Sequence, residues 1–276
     1  MMATLLLLFA VVYGSPTHAS LPPWKYETAS QRAVLTRTAA PSEEGNHYVF
    51  VPLALGQPLG CEPIPGVEYG TLDVDGPPTD RPAELHADLN LALRGYQVTD
   101  AYRGLVDYDG SDDSNAPQLN TLFPDRRVPA FTTVYQVYDW DWDCNCRADL
   151  LAYPDVTLAG MGVVPGEVLA LPDSGYDIGS GYEALVLYAT EERITLKYTR
   201  EDNVVRGYTI HVENVCVEPS LLALYRTWND AGRGRLPALR GRQPFGRARG
   251  GEIGVAIRDT GTVMDPRARQ SWWEQR

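Results

Sequence analysis

The residues best suited by type and spacing to do chemistry lie in Asp139-Trp140-Asp141-Trp142-Asp143, where acidic and aromatic side chains alternate. In an extended strand successive side chains point to opposite faces, which places Asp139, Asp141 and Asp143 on one face with neighbours about 7 Å apart. Carboxylates that close repel one another unless a cation or an arginine neutralises them. The functional readings are a calcium site, since calcium takes oxygen ligands, or a sugar-binding strand with Trp140 and Trp142 as its platform. The alternative is a solvated acidic face with both Trp in the core, because one strand cannot surround an ion. A second acidic run, from Asp107 to Pro117, lacks the glycine position and the closing Glu of an EF-hand loop.

Histidine is scarce. Beyond the N-terminal segment only His47, His86 and His211 occur, isolated from one another, with no H-x-H, H-E-x-x-H or C-x-x-C. Nor is there a G-x-S-x-G elbow or a P-loop. The four cysteines, Cys61, Cys144, Cys146 and Cys216, predict two disulfides in an exported chain. On one strand Cys144 and Cys146 point to the same face and are badly placed to bond each other. Each is expected to reach Cys61 or Cys216, and their spacing does not suit zinc.

Export is predicted from the first residues. Thr4 to Tyr13 is an apolar run followed by Gly14, Ser15, Pro16 and then Thr17-His18-Ala19, which suits cleavage after Ala19, although no Lys or Arg precedes the run. The run is shorter than the roughly 20 residues that span a bilayer, and no later segment is apolar enough to cross. Net charge is −12, which argues against general nucleic-acid binding. The charge is uneven: from Arg226 to Arg276 eleven Arg face five acidic residues. That basic end is expected to dock on the acidic body or on an anionic wall polymer.

Tyr (16) outnumbers Phe (5), and Pro (21) and Gly (25) are plentiful, which favours sheets and turns over a helical bundle. The expected organisation is a signal peptide at 1–19, an N-terminal arm with a first strand at 20–57, a β-rich domain at 58–269 and a tail at 270–276. Strands are predicted at 131–144, 182–188, 193–198, 208–212 and 252–258. One helix is predicted, with Pro219 in its first turn, Leu221, Leu222, Tyr225 and Trp228 as its apolar stripe, and Gly232 as its stop. The fold class that follows is mainly β, an antiparallel sheet or sandwich-like core with one or two helices.

The last hundred residues resemble the lysostaphin-type (LytM-like) peptidoglycan metalloendopeptidases, zinc enzymes of a small antiparallel β fold. Glu252-Ile253-Gly254-Val255-Ala256-Ile257-Arg258, with Gly261 and Asp265-Pro266 beyond it, is similar to that family's H-L-H-F-E-I-R strand with its following G and D-P. Gly241 to Gly246 resembles its G-x-x-I-G turn, Gly181-Tyr182 its G-Y-G element, and Tyr198-Thr199-Arg200 its Y-x-H. His86-Ala87-Asp88-Leu89-Asn90 resembles its H-x-G-x-D, with an insertion near 91–166 then following. The departures fall on the functional positions. By this resemblance His86 alone survives, Asn90 replaces the carboxylate ligand, Gly254 the third ligand, and Glu252 and Arg200 the two catalytic His. A neutral amide and a Gly do not hold zinc, and Glu252 with Arg200 is expected to form an ion pair across the vacated cleft.

The functional expectation is an exported, non-catalytic module without a cofactor that binds cell-wall or glycopeptide material or an envelope protein. The alternatives are a cell-wall hydrolase using His86, Asp88 and Glu252 as acid and base, and a structural protein stabilised by calcium at Asp139, Asp141 and Asp143.

Overall fold

A computed structural model describes residues 61–108 and 112–274. The expected signal peptide, the arm with its first strand and Asp109 and Gly110 of the acidic loop lie outside the described residues. The first half of the chain supplies β1 (Gly70–Asp73), a 3-10 turn (Ala83–Leu85), α1 (Leu91–Arg94), β2 (Tyr96–Val98), a second 3-10 turn (Leu119–Leu122) and β3 (Phe131–Asp141). Then come β4 (Cys146–Leu150), β5 (Leu158–Gly162), β6 (Val168–Ala170), β7 (Ala184–Ala189), β8 (Arg193–Lys197), β9 (Tyr208–Glu213) and β10 (Val215–Val217). The chain closes with α2 (Pro219–Asp230), β11 (Arg235–Leu239), β12 (Pro244–Ala248), β13 (Glu252–Asp259), β14 (Thr262–Met264) and α3 (Arg269–Trp272).

The fold is mainly β, as composition predicts. One antiparallel sheet runs in the order β1-β11-β7-β8-β9-β13-β5-β3-β2, with β14 paired to β13 and β4 paired to β3. A smaller sheet has the order β10-β12-β6. Residues 91–166, expected as an insertion by the resemblance, contribute to the main sheet: β2, β3 and β5 are members of it, and β5 pairs directly with β13. Sequence spacing cannot show this, because β5 reaches β13 across about ninety residues of chain.

Strict alternation in the central strands builds two unlike faces. Ile194 and Leu196 of β8, Ile210 and Val212 of β9, and Ile253, Val255 and Ile257 of β13 enter the main core. Their alternates, among them Thr195, Lys197, Thr209, His211, Glu213 and Arg258, face the other way and are nonetheless buried. The cover is the segment around α1: Leu91 packs with Val137, Leu158 and Ala256 in a second, small cluster, and the Leu89 carbonyl accepts from Thr195 Oγ1 at 2.6 Å.

The predicted helix is α2. Glu218 caps it by accepting from the backbone N–H of Ser220 and Leu221, Pro219 occupies the first turn, and Leu221, Leu222 and Tyr225 are buried. Gly232 (φ +91) and Arg233 (φ +60) turn the chain out of it in the left-handed region. Arg233 then drives its guanidinium into the protein, forked on Asp202 at 2.7 Å through Nε and Nη2 and donating to the Leu187 carbonyl.

Two expectations about the ends and bridges are corrected. The tail is part of the core: Trp272 and Trp273 are buried, and their indole N–H groups donate to the carbonyls of Asp265 and Pro266. The disulfides are Cys61–Cys216 and Cys144–Cys146. Cys144 and Cys146 do not share a strand, because β3 ends at Asp141. The Asp141 side chain accepts from the N–H groups of Asp143 and Cys144, Asn145 takes φ +52, and the cysteines face each other across the turn with Cα atoms 5.3 Å apart.

Candidate functional site

Of the residues singled out from the sequence, Glu252 lines one cavity and His86, Asp88 and Trp142 line another, at opposite ends of the polar sheet face. β8, β9 and β13 carry Arg193, Glu213 and Glu252 at one end, and the cover segment crosses the middle. His86 and Asp88 belong to the other end, with Asp202 beyond β8.

The first cavity, about 290 Å³, is lined by Tyr96, Tyr135, Arg193, Glu213, Glu252 and Gly254, among others. Glu213 lies directly opposite Gly254 in the β9–β13 register. Glu252 is therefore its diagonal neighbour on the same face, a spacing of about 7–8 Å between Cα atoms. Gly254 leaves the floor between them without a side chain. A Cβ at Gly160 would lie 2.6 Å from the Glu252 carboxyl carbon, so only glycine admits that carboxylate here.

The two carboxyl groups are held differently. Glu252 accepts from the hydroxyls of Thr132, Thr133 (2.8 Å) and Tyr135 (2.9 Å), an all-hydroxyl cradle without a cation. Glu213 takes Arg193 Nε at 3.0 Å, yet burial outweighs that arginine and pushes its carboxyl up from the ordinary range. Arg193 also touches Glu192, which Arg249 reaches at 2.7 Å. Tyr96 and Tyr135 meet edge to face with centroids 5.1 Å apart and wall the cavity on one side. The arrangement offers acceptors and an aromatic surface to a small polar or hydroxyl-rich group.

The second cavity, about 340 Å³, holds His86, Asp88 and Trp142. His86 Nδ1 accepts from the Asp88 N–H at 3.2 Å, and burial lowers its pKa against the pull of Asp88 and Asp80. Burial tends to raise the Asp88 carboxyl, but Arg258 and Arg94 outweigh it and hold it below the usual range. Asp88 accepts on Oδ1 from Arg94 at 2.6 Å and from Arg258 at 2.7 Å, so it is a charge anchor for the cover segment, and the two guanidinium groups hold it ionised and make it a weak base. Asn90, the expected stand-in for a metal ligand, is consumed as the N-cap of α1 and as donor to the Glu84 carbonyl.

The expected Glu252–Arg200 ion pair does not form. Arg200 lies at the far end of the sheet, donating to the Asp73 carbonyl and meeting Asp75 at 3.4 Å. Nor do Asp139, Asp141 and Asp143 share a face: a bulge at Tyr138/Trp140 and the early end of β3 break the alternation. Asp139 is 3.3 Å from Arg94, and Asp141 is used by the turn. Trp142, 42% exposed, stands edge-on to His86 with Arg81 over its ring at 5.0 Å, and Trp140 donates to Asn145. Among the described residues no group of three or more His, Cys, Asp or Glu side chains is disposed to hold a metal ion, and no helix is long and apolar enough to cross a membrane.

Sequence reasoning named Glu252 but missed Glu213, Arg193 and Tyr96 as site residues. The signal was present in the strict polar alternation of Arg193-Ile194-Thr195-Leu196-Lys197 and Tyr208-Thr209-Ile210-His211-Val212-Glu213. Comparison with family models, with curated proteins and with solved structures finds no match to this chain.

Proposed function

We propose that this chain is a binding module working outside the cytoplasm, which takes a sugar-bearing unit of cell-wall glycopeptide in the cavity between Tyr96 and Glu252. The observation that carries the reading is the diagonal placement of Glu213 and Glu252 over a floor left open by Gly254. Carboxylate oxygens accept from sugar hydroxyls, and the tyrosine pair gives an aromatic wall beside them. Support for export comes from the apolar leader, cleaved in this reading after Ala19, and from two disulfides. The degenerate peptidase pattern agrees with binding without metal chemistry, as Asn90 and Asp88 serve structural roles.

Purified wall sacculi should pull the chain down, and soluble wall fragments should bind with a saturable heat. Glu252→Gln should weaken that binding about tenfold or more, as loss of a charge-assisted acceptor does. Absence of binding to every wall fraction refutes the reading. A second reading, hydrolysis, draws on the raised Glu213 carboxyl, suited to donate a proton to a leaving oxygen, with the Glu252 carboxyl group diagonal to it. It predicts release of reducing ends from sacculi, lost in Glu213→Gln, and an inert wall digest ends it.

A further inference from the structure

The hairpin between β3 and β4 carries a covalent bond that its shape does not require. The two strands pair down to Asp141 opposite Cys146, and the Asp141 side chain accepts from the N–H groups of Asp143 and Cys144. Asn145 turns the chain at φ +52, and its Oδ1 accepts from Trp140 Nε1 at 3.3 Å and from Arg81 Nη1 at 2.6 Å. Hydrogen bonds therefore close the turn that the Cys144–Cys146 disulfide closes again. A crosslink between residues two apart in sequence removes little chain entropy. By reciprocity, a fold protects a disulfide from reduction only by as much as the disulfide stabilises the fold.

Access to the two disulfides differs as much as their loops do. Cys144 and Cys146 are both exposed, as is every residue from Asp141 to Asp149, whereas Cys216 is buried. Exposed disulfides that the fold protects little are the ones that exchange with thiols. Their surroundings carry charge of one sign, since from Asp139 to Asp149 the chain has four Asp and one Arg. Arg81, which reaches the turn, is itself paired with Asp80 at 2.9 Å. Trp142, in the same turn, adds an exposed aromatic surface.

We propose that Cys144–Cys146 is an exchange-active disulfide that oxidises a protein dithiol set in a basic surface, an activity independent of the glycopeptide cavity. A thiolate of the partner attacks one sulfur of the pair. A new S–S bond forms to the partner, the Cys144–Cys146 bond breaks, and its electron pair leaves on the other sulfur, which takes up a proton. The partner's second thiol then loses its proton and attacks the mixed disulfide. The partner ends as a disulfide, two electrons poorer, and Cys144 and Cys146 end as thiols. The acidic turn draws in a basic partner and repels anionic thiols, and Trp142 offers the partner an apolar contact.

The test begins with the full folded chain in graded ratios of reduced to oxidised dithiothreitol, alkylated and mapped by mass spectrometry. Cys144–Cys146 should open at a ratio about a hundredfold or more below that which opens Cys61–Cys216, with circular dichroism unchanged. The oxidised chain is then mixed with a dithiol peptide flanked by Lys and, separately, with one flanked by Glu, at equal thiolate concentration. The Lys peptide should be oxidised about fivefold faster or more at low salt, and the two rates should converge at about 1 M salt. Cys144→Ser/Cys146→Ser should oxidise neither peptide. Opening of both disulfides at the same ratio, or opening of Cys144–Cys146 only as the chain unfolds, overturns the proposal. So does peptide oxidation by the double variant, or equal rates for the two peptides at low salt.

Discussion

Arg258 Nη1 lies 2.7 Å from Asp88 Oδ1, and Arg94 Nη2 reaches the same oxygen at 2.6 Å. Through this one carboxylate the cover segment is tied to β13, which is why a sheet face of polar side chains is buried instead of wet. The anchor also separates the two cavities, so His86 and Glu252, matched to one active site by resemblance, belong to different places.

Asp88→Ala leaves two guanidinium groups without their shared partner. A buried pair broken on one side costs about 3–5 kcal/mol, and urea denaturation should show a loss of that order. The Asp88 carboxyl is held below its ordinary range. Its contribution is therefore full above the unfolded value of about 4 and is lost as pH falls through the depressed folded value.

His211 sets a second pH dependence. Burial first, and then Arg258, lower its pKa from 6.5 to about 3. The unfolded chain takes up a proton below pH 6.5 that the folded chain refuses, so stability is full above that value and declines as pH falls toward about 3. The slope for one proton is about 1.4 kcal/mol per pH unit. Subtracting the profile of His211→Leu from that of the parent between pH 7 and 4 should reveal that slope, and parallel profiles would contradict it.

The two disulfides should differ in weight. Cys61–Cys216 closes a loop with a sequence separation of 155, and Cys144–Cys146 one of 2. By loop-closure entropy the first is worth about 5 kcal/mol and the second about 1–2 kcal/mol. Cys61→Ser/Cys216→Ser should therefore lower the urea midpoint far more than Cys144→Ser/Cys146→Ser.

Gly160→Ala tests the cavity without removing a polar group. The added methyl meets the Glu252 carboxylate at 2.6 Å, and the backbone there needs no left-handed conformation. Binding of wall fragments should fall about tenfold or more, as it does when a charge-assisted acceptor is displaced, while the melting temperature changes little. Full binding by this variant would remove Glu252 from the site.

Much of the fold was legible because it is local. Pro219, the Leu221-Leu222-Tyr225 stripe and Gly232 define a helix by contacts within a few residues, and the alternating runs at 193–197, 208–213 and 252–258 define strands. The Asp139–Asp143 reading failed for an equally local reason. Alternation assumes an unbroken strand, and a bulge with an Asp141-capped turn ended it.

The sequence by itself determined the β class, the turns, the helix and which residues alternate, since each follows from the period of the backbone and the size of neighbouring side chains. Only the tertiary structure decided that Cys144 bonds Cys146, that Trp272 and Trp273 are core, that Arg200 is remote from Glu252, and that Glu213 stands diagonal to Glu252. Those relations depend on which strands become neighbours, and that choice is made by the burial of distant segments against one another rather than by any local spacing.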